Sequence, residues 1–277
     1  MMNIISLGAG VQSSTMALMG ATGELDYKID AAIFADTQAE PKEVYKFLDF
    51  LEKEISKSPY PFLIHKVSRG SLTKDSLKIY TKKRNNEKYA KLLIPAYITK
   101  RYDGSGILGR KCTADYKVVE VDKKIKQLMG YKKGQRIPKG IYANSLIGIS
   151  IDEAHRMKPS RIPHKKNIYP LIEKNFTRGH CLEWMESHGY PKPPRSACIY
   201  CPFHSDKEWL NMKKNNPKDF NFAVKYEKEL QKVATIDESM LGMPYLHNSC
   251  KPLDKVHFDV NKSLDLFGNE CEGMCGV

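Results

Sequence analysis

Apolar and polar positions in the first seventy residues follow two alternating periods. Short apolar runs predict buried strands at 3–7, 31–36 and 61–67. Between them, apolar residues at helical spacing predict one helix that follows the 8–14 turn and a second over 41–51. Strands that alternate with helices are typical of a parallel sheet covered on both faces. The pattern therefore predicts an α/β fold with a doubly wound, mostly parallel sheet.

The pattern is less regular further along the chain. The segment 71–110 is polar and rich in Lys and Tyr, and it predicts one or two helices and a mobile loop with a Gly-Ser-Gly hinge at 104–106. A helix is expected at 113–129, followed by a strand at 145–149, and then helices at 177–188, 205–215 and 217–233. We therefore expect an α/β nucleotide-binding domain over 1–170 and a helical, cysteine-containing region over 171–277.

Charge suggests the kind of partner. Lys and Arg number 45 and Asp and Glu 32, which gives a formal net charge of +13. Basic clusters at 82–84, 123–133 and 156–166 suit a polyanion, and we expect nucleic acid (tRNA or DNA). The alternatives are a solvated basic surface or a pocket for a triphosphate alone. No apolar run is long enough to span a membrane and no secretory signal pattern is present, which predicts a cytoplasmic protein.

The turn after the first strand is the strongest candidate for binding chemistry. Glycines let backbone N–H groups approach an anion, serines add hydroxyl donors, and a following helix contributes its positive end. The alternative is an ordinary strand-to-helix turn. Asp36 and Thr37 follow the second strand at the same edge of the sheet, where they suit either ligand binding or helix capping. The candidate residues of the turn are Ser6, Gly8, Gly10, Gln12, Ser13 and Ser14.

These motifs resemble known ones. The turn is similar to the SGGxDS loop of the PP-loop ATP pyrophosphatases, with Gln12 where that loop has Asp. Segments 34–41 and 147–156 resemble regions of the phosphoadenosine phosphosulfate reductases. The resemblance implies an adenine nucleotide alpha hydrolase-like fold that binds ATP or an adenylyl sulfate with Mg²⁺. It also implies that Asp36, Thr37 and Gly148 bind nucleotide, and that Arg156 and Arg161 bind phosphate or stabilise charge during catalysis.

Seven cysteines predict metal or thiol chemistry, since an odd number fits poorly with a disulfide framework. Cys112 and the pair Cys198-x-x-Cys201 would supply three thiolates, which suit zinc or an iron–sulfur cluster. The arrangement resembles the cysteines that hold a [4Fe-4S] cluster in adenylyl-sulfate reductases. It also resembles the three cysteines of the cluster-dependent tRNA thiolases, in which the iron without a cysteine ligand can carry the sulfur. Cys250 is a candidate fourth ligand of a cluster, and His204 is a candidate ligand of a zinc site. A third possibility is that these thiols are unrelated and bind no metal.

Three functions are consistent with these features. The first is ATP-dependent adenylation of a nucleic-acid base or related substrate with pyrophosphate release, for sulfur transfer at Cys112 with a sulfur-donor protein. The second is reduction of an adenylyl sulfate, because the tail around Cys271 resembles the cysteine tail of sulfonucleotide reductases. The third is a zinc-stapled, non-catalytic protein that binds nucleic acid.

Overall fold

The computed structural model of the chain describes residues 1–99, 105–237, 240 and 242–259. The strands are β1 (Asn3–Leu7), β2 (Ala31–Ala35), β3 (Leu63–Val67), β4 (Ile79–Thr81), β5 (Lys88–Ala90), β6 (Tyr97–Thr99), β7 (Ser105–Ile107), β8 (Ala143–Ile147), β9 (Lys165–Ile168) and β10 (Pro244–Tyr245). The α-helices are α1 (Val11–Thr22), α2 (Lys42–Lys57), α3 (Leu72–Ser76), α4 (Val119–Leu128), α5 (Pro170–Glu173), α6 (Arg178–Ser187), α7 (Asp206–Asn215) and α8 (Pro217–Ile236). A π-helical turn at Thr113–Val118 leads into α4, and 3₁₀ helices form at Ile151–Arg156 and Leu253–Lys255.

The main sheet has five strands in the order β3-β2-β1-β8-β9, and each neighbouring pair is parallel. All five residues of β2 and of β8 are buried, because these strands are covered on both faces by other elements. β3 has exposed and half-buried positions, as expected for an edge strand. The α/β class and the parallel sheet predicted from the sequence are confirmed.

Alternation along β1 separates the two faces of the sheet. Ile5 and Leu7 join a core formed with α1, α2 and α6, whereas Ile4 packs with Val121 and Ile125 of α4 on the opposite face. The first of these cores also contains Leu171, Cys181, Trp184 and Met185, so it continues past residue 170.

A second core lies outside the sheet. It combines side chains from 72–116 with side chains of α7, α8 and the residues up to 258, including the fully buried Trp209. Where the sequence predicted one or two helices over 71–110, the described residues form the short helix α3 and four short strands. Of the predicted Gly-Ser-Gly hinge, Gly104 lies outside the described residues, while Ser105 and Gly106 belong to β7. No helix in the described part of the chain has the length and apolar character needed to cross a membrane.

Candidate functional site at the carboxyl edge of the sheet

The strand order reverses next to β1. From β1 the chain proceeds to β2 and β3 on one side, while β8 and β9 lie on the other side. In open α/β sheets ligands bind outside the carboxyl ends of the strands at such a reversal, because the connections there leave to opposite sides and open a crevice. Residues 8–14 follow β1 and residues 148–150 follow β8, so both segments border the crevice.

Residues 8–14, the glycine–serine loop, form a compact turn that continues into the first turn of α1. The Gly8 N–H donates to Ser13 Oγ at 3.2 Å, and Ser13 Oγ donates to the carbonyl of Gly10 at 3.5 Å. Ala9 has φ 57°, and Gly10, the residue before α1, supplies no side-chain cap. The positive end of α1 therefore faces the crevice without a capping side chain, which is the arrangement that binds anions.

The side chains of two buried serines, one just before this loop and one at its end, lack hydrogen-bond partners among the described residues. The side-chain oxygens of Ser6 and Ser14 are both inaccessible, and neither has a partner. A buried hydroxyl without a partner costs free energy, so such groups usually bond to protein, water or a ligand. Both serines were among the residues predicted from the sequence.

Gly148 is required by close packing. A Cβ built on Gly148 would lie 2.7 Å from the backbone N of Ser13, 2.8 Å from its Cα and 3.1 Å from the carbonyl carbon of Gln12. Only glycine fits this approach without displacing backbone. The structure therefore places Gly148 under the glycine–serine loop, at the reversal of strand order.

Gln12 connects the loop to a charged network. Its Nε2 donates to Glu153 Oε2 at 3.1 Å and to Ser150 Oγ at 3.3 Å, and its Oε1 accepts from Arg178 Nη1 at 3.1 Å. Glu153 Oε1 in turn lies 2.8 Å from Arg156 Nη1. The amide bridges a carboxylate and a guanidinium, a role that an aspartate at this position would not fill. Sequence reasoning missed Arg178 and the role of Glu153, because no local motif links residues so far apart.

Asp36 and Thr37 lie at the same edge of the sheet. Asp36 Oδ1 accepts from Tyr45 Oη at 2.8 Å and from the Gln38 N–H at 2.7 Å. Burial, together with this carboxylate, raises the pKa of Tyr45. Within the described residues both of these bonds go to Oδ1, which leaves Oδ2 for a ligand. Thr37 Oγ1 lies 3.3 Å from Cys198 Sγ and joins this edge to the CxxC segment.

A cavity of about 650 Å³ opens beside the start of the π-helical turn and the segment 155–167. Its volume is in the range of small-molecule sites. No Asp or Glu of the described chain lines it, and Lys165 in its wall is so buried that its pKa is lowered. The two predicted phosphate ligands, Arg156 and Arg161, are brought together here. The basic residues of the lining are Arg110, His155, Arg156, Lys158, Arg161 and Lys165.

The cysteines predicted as metal ligands lie in or beside the second core. Cys112 and Cys198 both pack against that core, and burial raises the pKa of the Cys198 thiol well above its usual value. Cys201 is buried with Ala197 and Phe203, and Cys198 borders the same small cluster. Burial also raises the pKa of Cys250, which adopts φ 51°.

His204, the alternative zinc ligand, is held by hydrogen bonding and packing. Its Nε2 donates to the carbonyl of Cys198 at 3.1 Å, and its ring meets Trp209 edge-on at 4.8 Å between centroids. Burial, followed by the nearby Arg195, lowers the pKa of His204 to about 3. In the described residues no three His, Cys, Asp or Glu side chains are arranged to hold a metal ion. Cys271 and Cys275 lie outside the described residues. The cluster and zinc assignments stay predictions.

Comparison with known proteins adds no relative, since neither a family model nor a curated protein matches the chain. The assignment of function therefore rests on the site.

Proposed function

We propose that the chain is an ATP-dependent enzyme of the PP-loop type that adenylates an oxygen of a nucleic-acid base or a related substrate. The observation that carries the proposal is the glycine–serine loop at the reversal of strand order, connected to a cavity lined by six basic side chains. Gln12 and Glu153 make that connection, because Glu153 contacts both the loop and Arg156 of the cavity wall.

The loop supports a role in binding the pyrophosphate part of ATP. Backbone N–H groups at the start of α1, which no side chain caps, offer donors to phosphate oxygens. Oδ2 of Asp36 suits a ribose hydroxyl, an adenine amine or the Mg²⁺ that accompanies ATP. The usual aspartate is replaced by Gln12, so any metal near these phosphates would depend on other carboxylates.

The proposed reaction has two steps. A carbonyl oxygen of the substrate attacks the α-phosphorus of ATP, the bond from that phosphorus to the bridging oxygen breaks, and pyrophosphate leaves with the electron pair. Arg156 and Arg161 offset the charge that develops on the leaving group. A nucleophile, sulfur in our proposal, then displaces AMP from the activated carbon. No step of this proposal passes through a metal centre or Cys112.

Competition binding tests the proposal before the accepting substrate is known. Pyrophosphate should compete with a non-hydrolysable ATP analogue, whereas AMP should bind much more weakly, because in the proposal the loop binds the β- and γ-phosphates. Arg161→Met should weaken binding of the analogue at least tenfold or lower the rate of pyrophosphate release at least tenfold. The control Arg136→Met removes an exposed arginine after α4 and should change neither quantity.

Two outcomes would contradict the proposal. One is a protein that binds neither ATP nor pyrophosphate although it is folded. The other is release of sulfite from an adenylyl sulfate in the presence of a thiol, which would assign the chain to sulfonucleotide reduction.

A further inference from the structure

A hairpin outside the site carries a dense cluster of basic residues. β4 and β5 pair antiparallel around a six-residue turn, with Tyr80 directly opposite Tyr89. Residues 78–91 contain six basic residues and one acidic residue, and positions 81–86 are all exposed. The basic residues are Lys78, Lys82, Lys83, Arg84, Lys88 and Lys91.

One face of this hairpin combines aromatic rings and ammonium groups. Tyr80 of β4 and Tyr89 of β5 share this face. The residues that flank the two strands, Lys78, Lys82, Glu87 and Lys91, lie two positions from one of these tyrosines. The two rings stack with centroids 5.5 Å apart and an interplanar angle of 28°. Lys91 Nζ lies 4.6 Å and Lys78 Nζ 5.3 Å from the centroid of Tyr80, and Lys82 Nζ lies 5.9 Å from that of Tyr89.

These contacts restrict the lysines. An exposed lysine normally loses side-chain entropy when it binds an anion, and a cation–π contact removes part of that cost in advance. Glu87 contacts Lys82 at 2.8 Å, while Lys78 and Lys91 are placed over the ring of Tyr80 and keep their charge at the surface. The face therefore presents ordered positive charge.

The hairpin lies in the connection that leaves the sheet at the edge that carries the crevice. It belongs to the connection from the carboxyl end of β3 to α4, and Arg69, just after β3, covers the ring of Tyr116 at 5.2 Å. The Ala90 N–H donates to Asp237 Oδ2 at 2.8 Å and fixes β5 to the end of α8. In contrast, the basic loop 131–140 leads into the amino end of β8, at the opposite edge.

We propose that this hairpin binds the phosphodiester backbone of a nucleic acid and holds the polymer while one base reaches the crevice. The inference rests on the proposed function for the role of that base, but the binding itself requires no catalysis. The tyrosine pair orders the lysines, and the lysines contact phosphates without reading sequence.

Lysines on a short two-stranded hairpin also discourage edge-to-edge association, which is the competing explanation. The two explanations differ in their consequences for binding. Protection of an edge requires no particular partner, whereas a backbone contact makes affinity depend steeply on salt.

The test compares two variants that each lose three lysines and one arginine. The hairpin variant is K78Q/K83Q/R84Q/K91Q, and the control, in the exposed loop 131–140, is K132Q/K133Q/R136Q/K139Q. Affinity for fluorescent single-stranded DNA, duplex DNA and tRNA is measured from 50 to 300 mM salt. The hairpin variant should lose at least tenfold in affinity, and its slope of log K against log salt should become shallower by about 2 to 4. The control should keep most of its affinity and slope.

Conservative replacement and a separate readout complete the design. K78R/K83R/K91R, which keeps the charge, should bind as the parent does. Competition between pyrophosphate and the ATP analogue is measured on each variant and should stay unchanged, which separates this inference from the proposed function and confirms folding. Equal losses in the hairpin variant and the control would show an effect of net charge alone and overturn the inference. A hairpin variant that binds as the parent does, or a parent that binds none of the three polymers, would overturn it too.

Discussion

Gly148→Ala tests how the glycine–serine loop is supported. The added Cβ would stand 2.7 Å from Ser13 N, and ordinary contacts begin at about 3.4 Å, so the two backbone segments must separate by about 0.7 Å. The nearest three atoms belong to backbone, so no side-chain rotation relieves the overlap. Gly148 is absent from the residues with positive φ, which means that the substitution tests packing and not backbone strain.

Overpacking of this kind costs about 1–3 kcal/mol, and the rigidity of the contact favours the upper half of that range. A loss of about 2 kcal/mol lowers the ratio of folded to unfolded protein about thirtyfold. In urea unfolding, where the slope for small proteins is about 1–3 kcal/mol per molar, the midpoint should fall by roughly 1 M with an unchanged slope.

The same displacement should weaken binding of the ATP analogue, since it moves the first turn of α1. Gly109→Ala is the matched control, because a Cβ there would have no heavy atom within 4 Å, and its unfolding free energy should change by less than about 0.5 kcal/mol. If Gly148→Ala had the same free energy of unfolding and the same affinity for the ATP analogue as the parent, the close packing of the segment after β8 under the loop would be refuted.

Two further predictions concern buried groups. Glu40→Gln should lower the free energy of unfolding by about 3–5 kcal/mol, because it removes the carboxylate 3.4 Å from the buried Lys117 ammonium. Glu54→Gln, in the partly exposed pair with Lys57, should change the free energy of unfolding by less than about 0.5 kcal/mol. Equal effects of the two substitutions in urea titrations would contradict this account. Burial raises the pKa of Cys181 to about 12. Iodoacetamide at pH 8 should therefore label this thiol only after unfolding, as measured by peptide mass spectrometry. Labelling of Cys181 in the folded protein would refute its burial in the core.

The sheet was predictable where local pattern and burial agree. β1, β2 and β3 are apolar runs in regular alternation with helices, so their positions follow from periodicity. β9 was missed because its sequence Lys-Lys-Asn-Ile has one strongly apolar residue and occupies an edge, where burial on both faces is not required. The hairpin β4–β5 was missed for a related reason, since its charged residues are as compatible with a solvated helix as with a strand.

The candidate site was predictable only in its local parts. Gly8 and Ser13 are recognisable because the turn and the helix that it precedes are adjacent in sequence. The partners of Gln12 cannot be recognised from the local sequence, because Glu153 and Arg178 reach Gln12 only through the pairing of β1 with β8. Long-range contacts of this kind depend on the order of strands in the sheet, which the sequence pattern left open.

The bond between Gln12 and Arg178 also has a consequence for synthesis of the chain. The two residues are 166 positions apart, so the ribosome must add that length after the glycine–serine loop before the network can close. At about 5–20 residues per second, this takes on the order of 8 to 33 seconds. During that interval the nascent chain already carries the glycine–serine loop but lacks the strand and the arginine that complete its surroundings. Nucleotide bound as proposed should therefore stabilise the finished protein more than the nascent chain.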